Sequence, residues 1–218
     1  MFKHILWAAV LLGAAPLAAS ATTLGFDCIT NNSGTNCGAG ETQLKVEVSD
    51  DSGKLLFTFT NIGLAAMSIT DVYFDDGLTA LLATPMTITS SGGVSFSQGA
   101  APPDLPGGNS LTPKFNVTAG FLADADEPPP QKGVNPGEWL GISFAYASGK
   151  SFGNVDGELS LGDLRIGIHV QGFDDGGSVS FVNLPPSETP PIPEPATVAM
   201  LLAGLGIVGW RVRRRAAA

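Results

Sequence analysis

Clustered acidic side chains are the residues of this chain whose types and spacing come closest to a chemical site. Carboxylates that lie close in sequence supply the hard oxygen ligands that Ca²⁺ prefers. The same strings are turn signals, because Asp bonds to nearby backbone groups and the glycine of Asp-Asp-Gly adopts a positive φ. We interpret the clusters as turns first and as calcium candidates second, and we assign no metal site. The candidates are Asp71, Asp75, Asp76, Asp124, Asp126 and Glu127, with a further pair at Asp174 and Asp175.

Catalytic groups are scarce in the sequence. His169 is the only histidine beyond the first 21 residues, and its string "RIGIHVQ" favours a structural role on a strand over a general base. No serine lies in a nucleophile-elbow sequence, and serines are too abundant for a Ser-His-Asp triad to be inferred. A carboxylate pair would suit a glycosidase, but nothing in the sequence sets its separation. We therefore predict a protein that is not an enzyme, with no catalytic residue and no cofactor.

Aromatic side chains offer a binding interpretation. Trp139, Tyr73 and Tyr146, with several Phe, could stack on the apolar faces of sugar rings. The simpler interpretation is that they fill a core. Trp139 is the best candidate for an exposed aromatic residue, since it follows the polar string "NPGE".

Cys28 and Cys37 are the only cysteines and bracket a polar, glycine-containing stretch. In an oxidising compartment two close cysteines pair as a disulfide. The alternatives are free thiols or a metal site, although two thiols without a nearby histidine are too few ligands for structural zinc.

The elements that must position these residues are short strands. "QLKVEVS", "KLLFTFTN", "AMSITDVYF" and "SVSFVN" alternate with a period of two and are bounded by Gly, Pro, Asn and Asp. This pattern predicts an all-β fold, an antiparallel β-sandwich of the jelly-roll or immunoglobulin-like kind. One short helical turn is expected within 151–161. The stretches 98–113 and 123–138 are too rich in Pro and Gly to continue a strand and are expected to be surface loops.

The N-terminus reads as an export signal. Lys3 and His4 precede an apolar run, and Ala19-Ser20-Ala21 forms a small-x-small cleavage site. This layout predicts a secretory signal peptide at residues 1–21, with a buried N-terminal helix as the alternative.

The C-terminus carries a second hydrophobic segment. Residues 196–210 hold no charge and are followed by Arg211, Arg213, Arg214 and Arg215. As a helix the segment would be about 22 Å long, which is short for a span of roughly 30 Å. Flanking arginines stay cytoplasmic, so the rest of the chain would face outward. Pro193-Glu194-Pro195 stands just before the segment.

The order of Pro-Glu-Pro triplet, short glycine-rich span and arginine cluster resembles the sorting signal of the PEP-CTERM family of exported bacterial proteins. The resemblance implies a partner, an exosortase-type membrane protease that cuts near the triplet. It also implies a transient stay in the membrane, followed by release to the envelope surface or to extracellular polysaccharide. The alternative is a plain single-span anchor.

The sequence therefore predicts a signal peptide at 1–21, a β-sandwich domain at 22–184, a proline-rich linker at 185–192 and a sorting tail at 193–218 with a transmembrane helix at 196–210. The full chain has a net charge of −9, and most of its arginines lie in the tail. Such an acidic domain disfavours nucleic acid as a partner. We expect a structural or adhesive role at the cell surface or in a biofilm matrix; a carbohydrate-binding module for exopolysaccharide is the first alternative and a secreted hydrolase the second.

Overall fold

The computed structural model describes residues 21–30 and 33–185, and every structural statement below concerns these ranges. They belong to the first of two units of the chain, Met1–Pro186 and Ser187–Ala218. The predicted signal peptide up to residue 20, the linker from residue 186 and the sorting tail lie outside the described residues. No helix within the described ranges is long and apolar enough to cross a membrane.

Short β-strands dominate the described chain, as the alternating pattern predicted. The strands are β1 (Ala21–Leu24), β2 (Phe26–Cys28), β3 (Leu44–Asp51), β4 (Lys54–Asn61), β5 (Ser68–Asp75), β6 (Leu82–Ser90), β7 (Phe96–Gln98), β8 (Leu122–Ala125), β9 (Trp139–Tyr146), β10 (Arg165–Gln171) and β11 (Ser178–Asn183). The helices are α1 (Gly34–Gln43), α2 (Pro129–Lys132) and α3 (Val155–Leu161), with 3₁₀ turns at Gly108–Ser110 and Phe152–Asn154.

The strands form two antiparallel sheets. Sheet A has the order β1-β3-β4-β9-β6, and sheet B has the order β2-β11-β10-β5-β8-β7. Phe57 and Phe144 of sheet A meet Phe74 of sheet B, each with a ring-centroid distance of 4.9 Å to Phe74. Burying such a side chain stabilises the fold by about 1.5–3 kcal/mol. The predicted β-sandwich is therefore confirmed.

The alternation places side chains correctly on β4. Leu55, Phe57 and Phe59 are fully buried in the core, and Leu56, Thr58 and Thr60 face outward.

On β5 the alternation predicts one face shared by Met67, Ile69, Asp71 and Tyr73, and this prediction is wrong. The register pairs His169 with Asp71 but Val170 with Ile69, so one extra residue, Thr70, forms a β-bulge. A bulge reverses the faces beyond it. Val72 and Phe74 therefore join the main core, while Asp71 and Tyr73 lie on the outer face of sheet B.

The outer face of sheet B is covered by residues 99–118, which we call the cover segment. This stretch includes most of the first predicted surface loop. Its Leu105 and Phe115 are buried against Tyr73 and Val182 in a small second core. The close approach requires a glycine on β10, because a Cβ on Gly167 would lie 2.6 Å from Leu105 Cδ2.

The helical turn expected within 151–161 is present as a 3₁₀ turn and α3. The sequence did not predict α1 or α2. Helix α1 has a poor helical sequence, GTNCGAGETQ, and is held by tertiary contacts. Ser33 Oγ accepts a hydrogen bond from Asn36 N (3.3 Å), and Gly40 packs so closely on Phe181 that a Cβ would lie 2.2 Å from the ring.

Candidate functional site

The acids of the Asp-Asp-Gly string after β5 are engaged by the protein itself. Asp76 accepts hydrogen bonds from the backbone N–H groups of Leu81 and Leu82 at 2.9–3.0 Å. Asp75 is ion-paired with Arg165 and also accepts from the N–H groups of Gly77 (3.2 Å) and Asn116 (2.9 Å). Burial raises the pKa of Asp76, and the backbone hydrogen bonds oppose that rise. These two carboxylates fix the loops that they touch.

The remaining acidic candidates are dispersed. Asp126 accepts from the hydroxyls of Ser95 (2.5 Å) and Ser97 (2.7 Å), which lower its pKa, and Glu127 is exposed. Asp175 accepts from Asn36 Nδ2 at 2.9 Å. Within the described ranges no group of three Asp, Glu, His or Cys side chains is placed to hold a metal ion. Calcium binding therefore stays the second interpretation of these clusters, without support from the geometry of the described residues.

The structure does bring Asp71 and Asp124 together, in a lateral row on the outer face of sheet B. The strand registers place Ser180 opposite His169, His169 opposite Asp71, Asp71 opposite Asp124, and Asp124 opposite Ser97. We call these five residues the polar row. Directly opposite residues on one face of an antiparallel pair have Cβ atoms about 4.5–5.5 Å apart.

One end of the polar row has the order of a catalytic triad but not its accessibility. His169 Nδ1 lies 2.9 Å from Ser180 Oγ, and the next position of the row is Asp71. Ser180, however, has 0% of its surface exposed. Burial also lowers the pKa of His169. A nucleophile must reach its substrate, so this part of the row has the contacts of a buried structural network. The sequence had no signal for Ser180, because only the register sets it beside His169.

The middle of the row is a pair of facing carboxyl groups. Asp71 is 2% exposed, and burial followed by the charge of Asp124 raises the pKa of Asp71 to about 7. The Thr70 hydroxyl donates to Asp71 Oδ2 at 2.9 Å and opposes that rise. Repulsion between opposite carboxylates thus adds to burial in favouring the protonated form of Asp71.

The outer face of sheet A is different in character, because it is open. Trp139 is 40% exposed there. It borders a shallow depression of about 460 Å³ whose lining is uncharged: Leu56, Thr58, Thr60, Thr89, Trp139 and Gly141. Gly141 forms the floor, since a Cβ at this position would lie 2.6 Å from Thr89 Oγ1. The period of two on β4 could have identified the outward threonines, but nothing in the sequence paired them with Trp139.

Backbone contacts fix the position of Trp139 at the start of β9. Its N–H donates to Ser91 Oγ, and its carbonyl accepts from the N–H of Ser91, both at 3.1 Å. The other two aromatic candidates do not join it. Tyr73 is buried under the cover segment, and Tyr146 packs on the main core and donates to Asp50 Oδ2 at 2.8 Å. A sugar-stacking surface on this face therefore depends on Trp139 alone.

Cys28 and Cys37 form a disulfide, as predicted. It joins the end of β2 to α1 and leaves no free cysteine. The predicted sorting residues Pro193, Glu194, Pro195, Arg211, Arg213, Arg214 and Arg215 lie outside the described residues.

Comparison with known proteins gives one match. Residues 191–215 match the family model described as the PEP-CTERM protein-sorting motif. No curated protein matches the chain, and no solved structure does. The match confirms the resemblance of the C-terminus and assigns no activity to the β-sandwich.

Proposed function

We propose that this exported chain, whose PEP-CTERM motif directs its sorting by exosortase to the cell envelope, is a noncatalytic surface or matrix protein that adheres to exopolysaccharide through the open face of sheet A. In this proposal the C-terminal segment holds the chain in the membrane until it is cut. The β-sandwich then acts outside the cell as a structural or adhesive module of the extracellular matrix.

The observation that carries the adhesive role is the contrast between the two outer faces. The cover segment packs on sheet B, whereas Trp139 and its neighbouring threonines on sheet A line an open depression. A large exposed aromatic residue beside a depression is a feature of binding surfaces.

The lining fits a neutral sugar chain. An indole face stacks on the apolar C–H face of a sugar ring, and threonine hydroxyls both donate and accept hydrogen bonds with sugar hydroxyls. The adjacent strand β3 places Lys45 beside Thr60 and Glu47 beside Thr58, one charge of each sign. Because the chain as a whole is acidic, uncharged polysaccharide is favoured over uronic-acid polymers.

The noncatalytic part of the proposal rests on accessibility. The candidate nucleophile Ser180 is fully buried, and the carboxyl pair Asp71–Asp124 lies in adjacent register positions. The carboxyl groups of a glycosidase must reach the scissile bond of a sugar, whereas Asp71 is only 2% exposed. A secreted hydrolase thus has less support than an adhesive module.

Affinity electrophoresis through gels that contain a neutral β-glucan tests the proposal. The full chain is kept in a polyoxyethylene detergent, since a detergent with a sugar headgroup would compete. We expect Trp139→Ala to weaken the retardation about tenfold, the loss of roughly 1.4 kcal/mol of stacking. Leu64→Ala is the control, because Leu64 is an exposed apolar residue that does not line the depression. Equal retardation of Trp139→Ala and the native chain on every neutral polysaccharide tried would reject this binding surface.

A further inference from the structure

Gly141 is an interior glycine of β9 that the backbone itself does not require. Its φ lies outside the left-handed region, and its neighbours Leu140 and Ile142 keep a regular register with both β4 and β6. Because Leu140 and Ile142 are buried in the core, Gly141 faces outward. A glycine inside a strand weakens it, and without a bulge or bend it marks a place where another group approaches the backbone closely.

Gly167 shows what an interior glycine admits on the other sheet. It lies on β10, where an added Cβ would be 2.6 Å from Leu105 Cδ2 and 3.1 Å from Phe115 Cζ, both in the cover segment. This glycine thus lets the cover segment pack on the outer face of sheet B. Gly141 holds a similar position on the outer face of sheet A, but the depression above it is open.

Four side chains of sheet A surround Gly141, and we call this arrangement the glycine subsite. Thr58 on β4 and Thr89 on β6 are directly opposite Gly141, one on each side. With strands about 4.8 Å apart, the Cα atoms of the two threonines are roughly 9.6 Å apart. Trp139 and Leu56 lie toward the two ends, with Cζ3 and Cδ1 at 3.6 and 3.5 Å from the position of an added Cβ.

The glycine subsite separates polar from apolar contacts. Its floor and its two ends are apolar, whereas its two sides carry hydroxyl groups. The Thr89 hydroxyl donates to the carbonyl oxygen of Gly141 at 3.4 Å, so its lone pairs face the depression as acceptors. A sugar ring that lies flat over Gly141 would set its C–H face on the floor and direct its equatorial hydroxyls toward the threonines.

We propose that the glycine subsite holds one ring of an unbranched neutral polysaccharide and that Gly141 sets its depth. The polysaccharide chain runs from Trp139 over Gly141 to Leu56, since these apolar ends are the open directions. Branches on the ring would point sideways into Thr58 and Thr89. This inference rests on the proposed adhesive function and names the class of polysaccharide and the residue that selects it.

Affinity electrophoresis of the full chain, in the same detergent, tests the depth of the subsite. In gels with a linear mixed-linkage β-glucan we expect Gly141→Ala to weaken the retardation at least tenfold, because the added methyl group raises the floor. The methyl group also presses on Thr89 Oγ1, which would lie 2.6 Å away. The double variant Gly141→Ala/Thr89→Ala relieves that contact and keeps the raised floor.

The variants distinguish floor depth from a displaced hydroxyl. Thr89→Ala alone should weaken retardation about threefold, the loss of one hydrogen bond, and the double variant should stay well below it. Gly157→Ala is the matched control, because a Cβ there meets nothing within 4 Å and Gly157 lies on α3, outside the depression. The melting temperature of each variant shows whether the fold is kept.

The native chain provides a second test that needs no variant. We expect a linear β-glucan to retard it more strongly than xyloglucan, whose glucan backbone carries side branches. Equal retardation by the two polymers would overturn the preference for unbranched chains. If Trp139→Ala weakens binding while the double variant binds as well as Thr89→Ala, the glycine subsite is wrong and the adhesive face stands. If neither Trp139→Ala nor Gly141→Ala changes the retardation, the adhesive function itself is rejected.

Discussion

At the residue scale, burial decides the protonation of two side chains of the polar row, in opposite directions. Asp71 has its pKa raised to about 7, and His169 has its pKa lowered. Both groups are therefore driven toward their uncharged forms. Because their ordinary values lie near 3.9 and 6.5, each makes the stability of the fold depend on pH over a different range.

Replacing Asp71 with Asn should make the fold less sensitive to a rise in pH from about 4 to about 7. The folded-state pKa of Asp71 lies above its unfolded value, so its contribution is fully present below about pH 4 and is lost as the pH rises toward 7. We expect Asp71→Asn to gain of the order of 1–3 kcal/mol at pH 8 relative to its effect at pH 4.5. Urea unfolding of both proteins at the two pH values measures the difference. A variant that loses more stability at pH 8 than at pH 4.5 would show that the ionised carboxylate is the favoured form.

His169 should act in the opposite direction, because its contribution to stability is lost as the pH falls. Its folded-state pKa is lowered, so its neutral form stabilises the fold above the ordinary value near 6.5, and that contribution falls as the pH drops below it. His169→Gln keeps a side chain that can bond to Ser180 Oγ but cannot be protonated. We expect the variant to show a smaller decline in melting temperature between about pH 7 and about pH 5 than the native chain. An equal decline in melting temperature in the variant would show that a group other than His169 causes the loss of stability in acid.

At the element scale, the sequence predicted strands better than it predicted what lies outside them. The period of two on β4 gave the core face correctly, because its residues from Lys54 to Thr60 pair in regular register with both β3 and β9. On β5 it failed beyond Thr70, since a single bulged residue reverses the pattern and leaves no compositional trace. The same bulge turns Asp71 to the outer face, so neither the polar row nor the burial of Tyr73 under the cover segment was predictable. The role of residues 99–118 as a cover was also hidden, because their Pro- and Gly-rich composition reads as a loop.

Gly167 tests whether the cover segment depends on close packing. A Cβ at this position would lie 2.6 Å from Leu105 Cδ2 and 3.1 Å from Phe115 Cζ. We expect Gly167→Ala to destabilise the fold by about 1–3 kcal/mol through overpacking, as measured by thermal unfolding. Gly157 on α3 is the matched control, because a Cβ there meets nothing within 4 Å. Gly157→Ala should be neutral or stabilising by about 0.5–1 kcal/mol, as alanine favours a helix. Equal effects at the two sites would contradict the packing account.

At the scale of the whole molecule, the sorting motif and the proposed adhesive face lie in different parts of the chain. The sorting motif occupies residues 191–215, and the open face belongs to the β-sandwich. The sorting motif could be identified from the sequence. The open face could not, because Trp139 gains its threonine neighbours only when β4, β6 and β9 pair.

The tail can be tested separately from the sandwich. If Glu194 is needed for recognition by exosortase, Glu194→Ala should leave the full-length chain in the membrane fraction, while the native chain reaches the surface without its tail. Mass spectrometry of surface-localised protein reads the C-terminus. Native surface protein that still ends at Ala218 would show a plain anchor instead of a processed tail.

Trp139 itself provides the most direct test of adhesion. The chain has three tryptophans, and the other two are Trp7 and Trp210, in the predicted signal peptide and tail. In a Trp7→Phe, Trp210→Phe chain, indole fluorescence therefore reports on the open face alone. The account predicts a saturable change in emission on titration with a soluble neutral β-glucan and a much smaller one with a polyuronate at equal ionic strength. Fluorescence that does not respond to any neutral polysaccharide, or that responds only to the polyuronate, would contradict it.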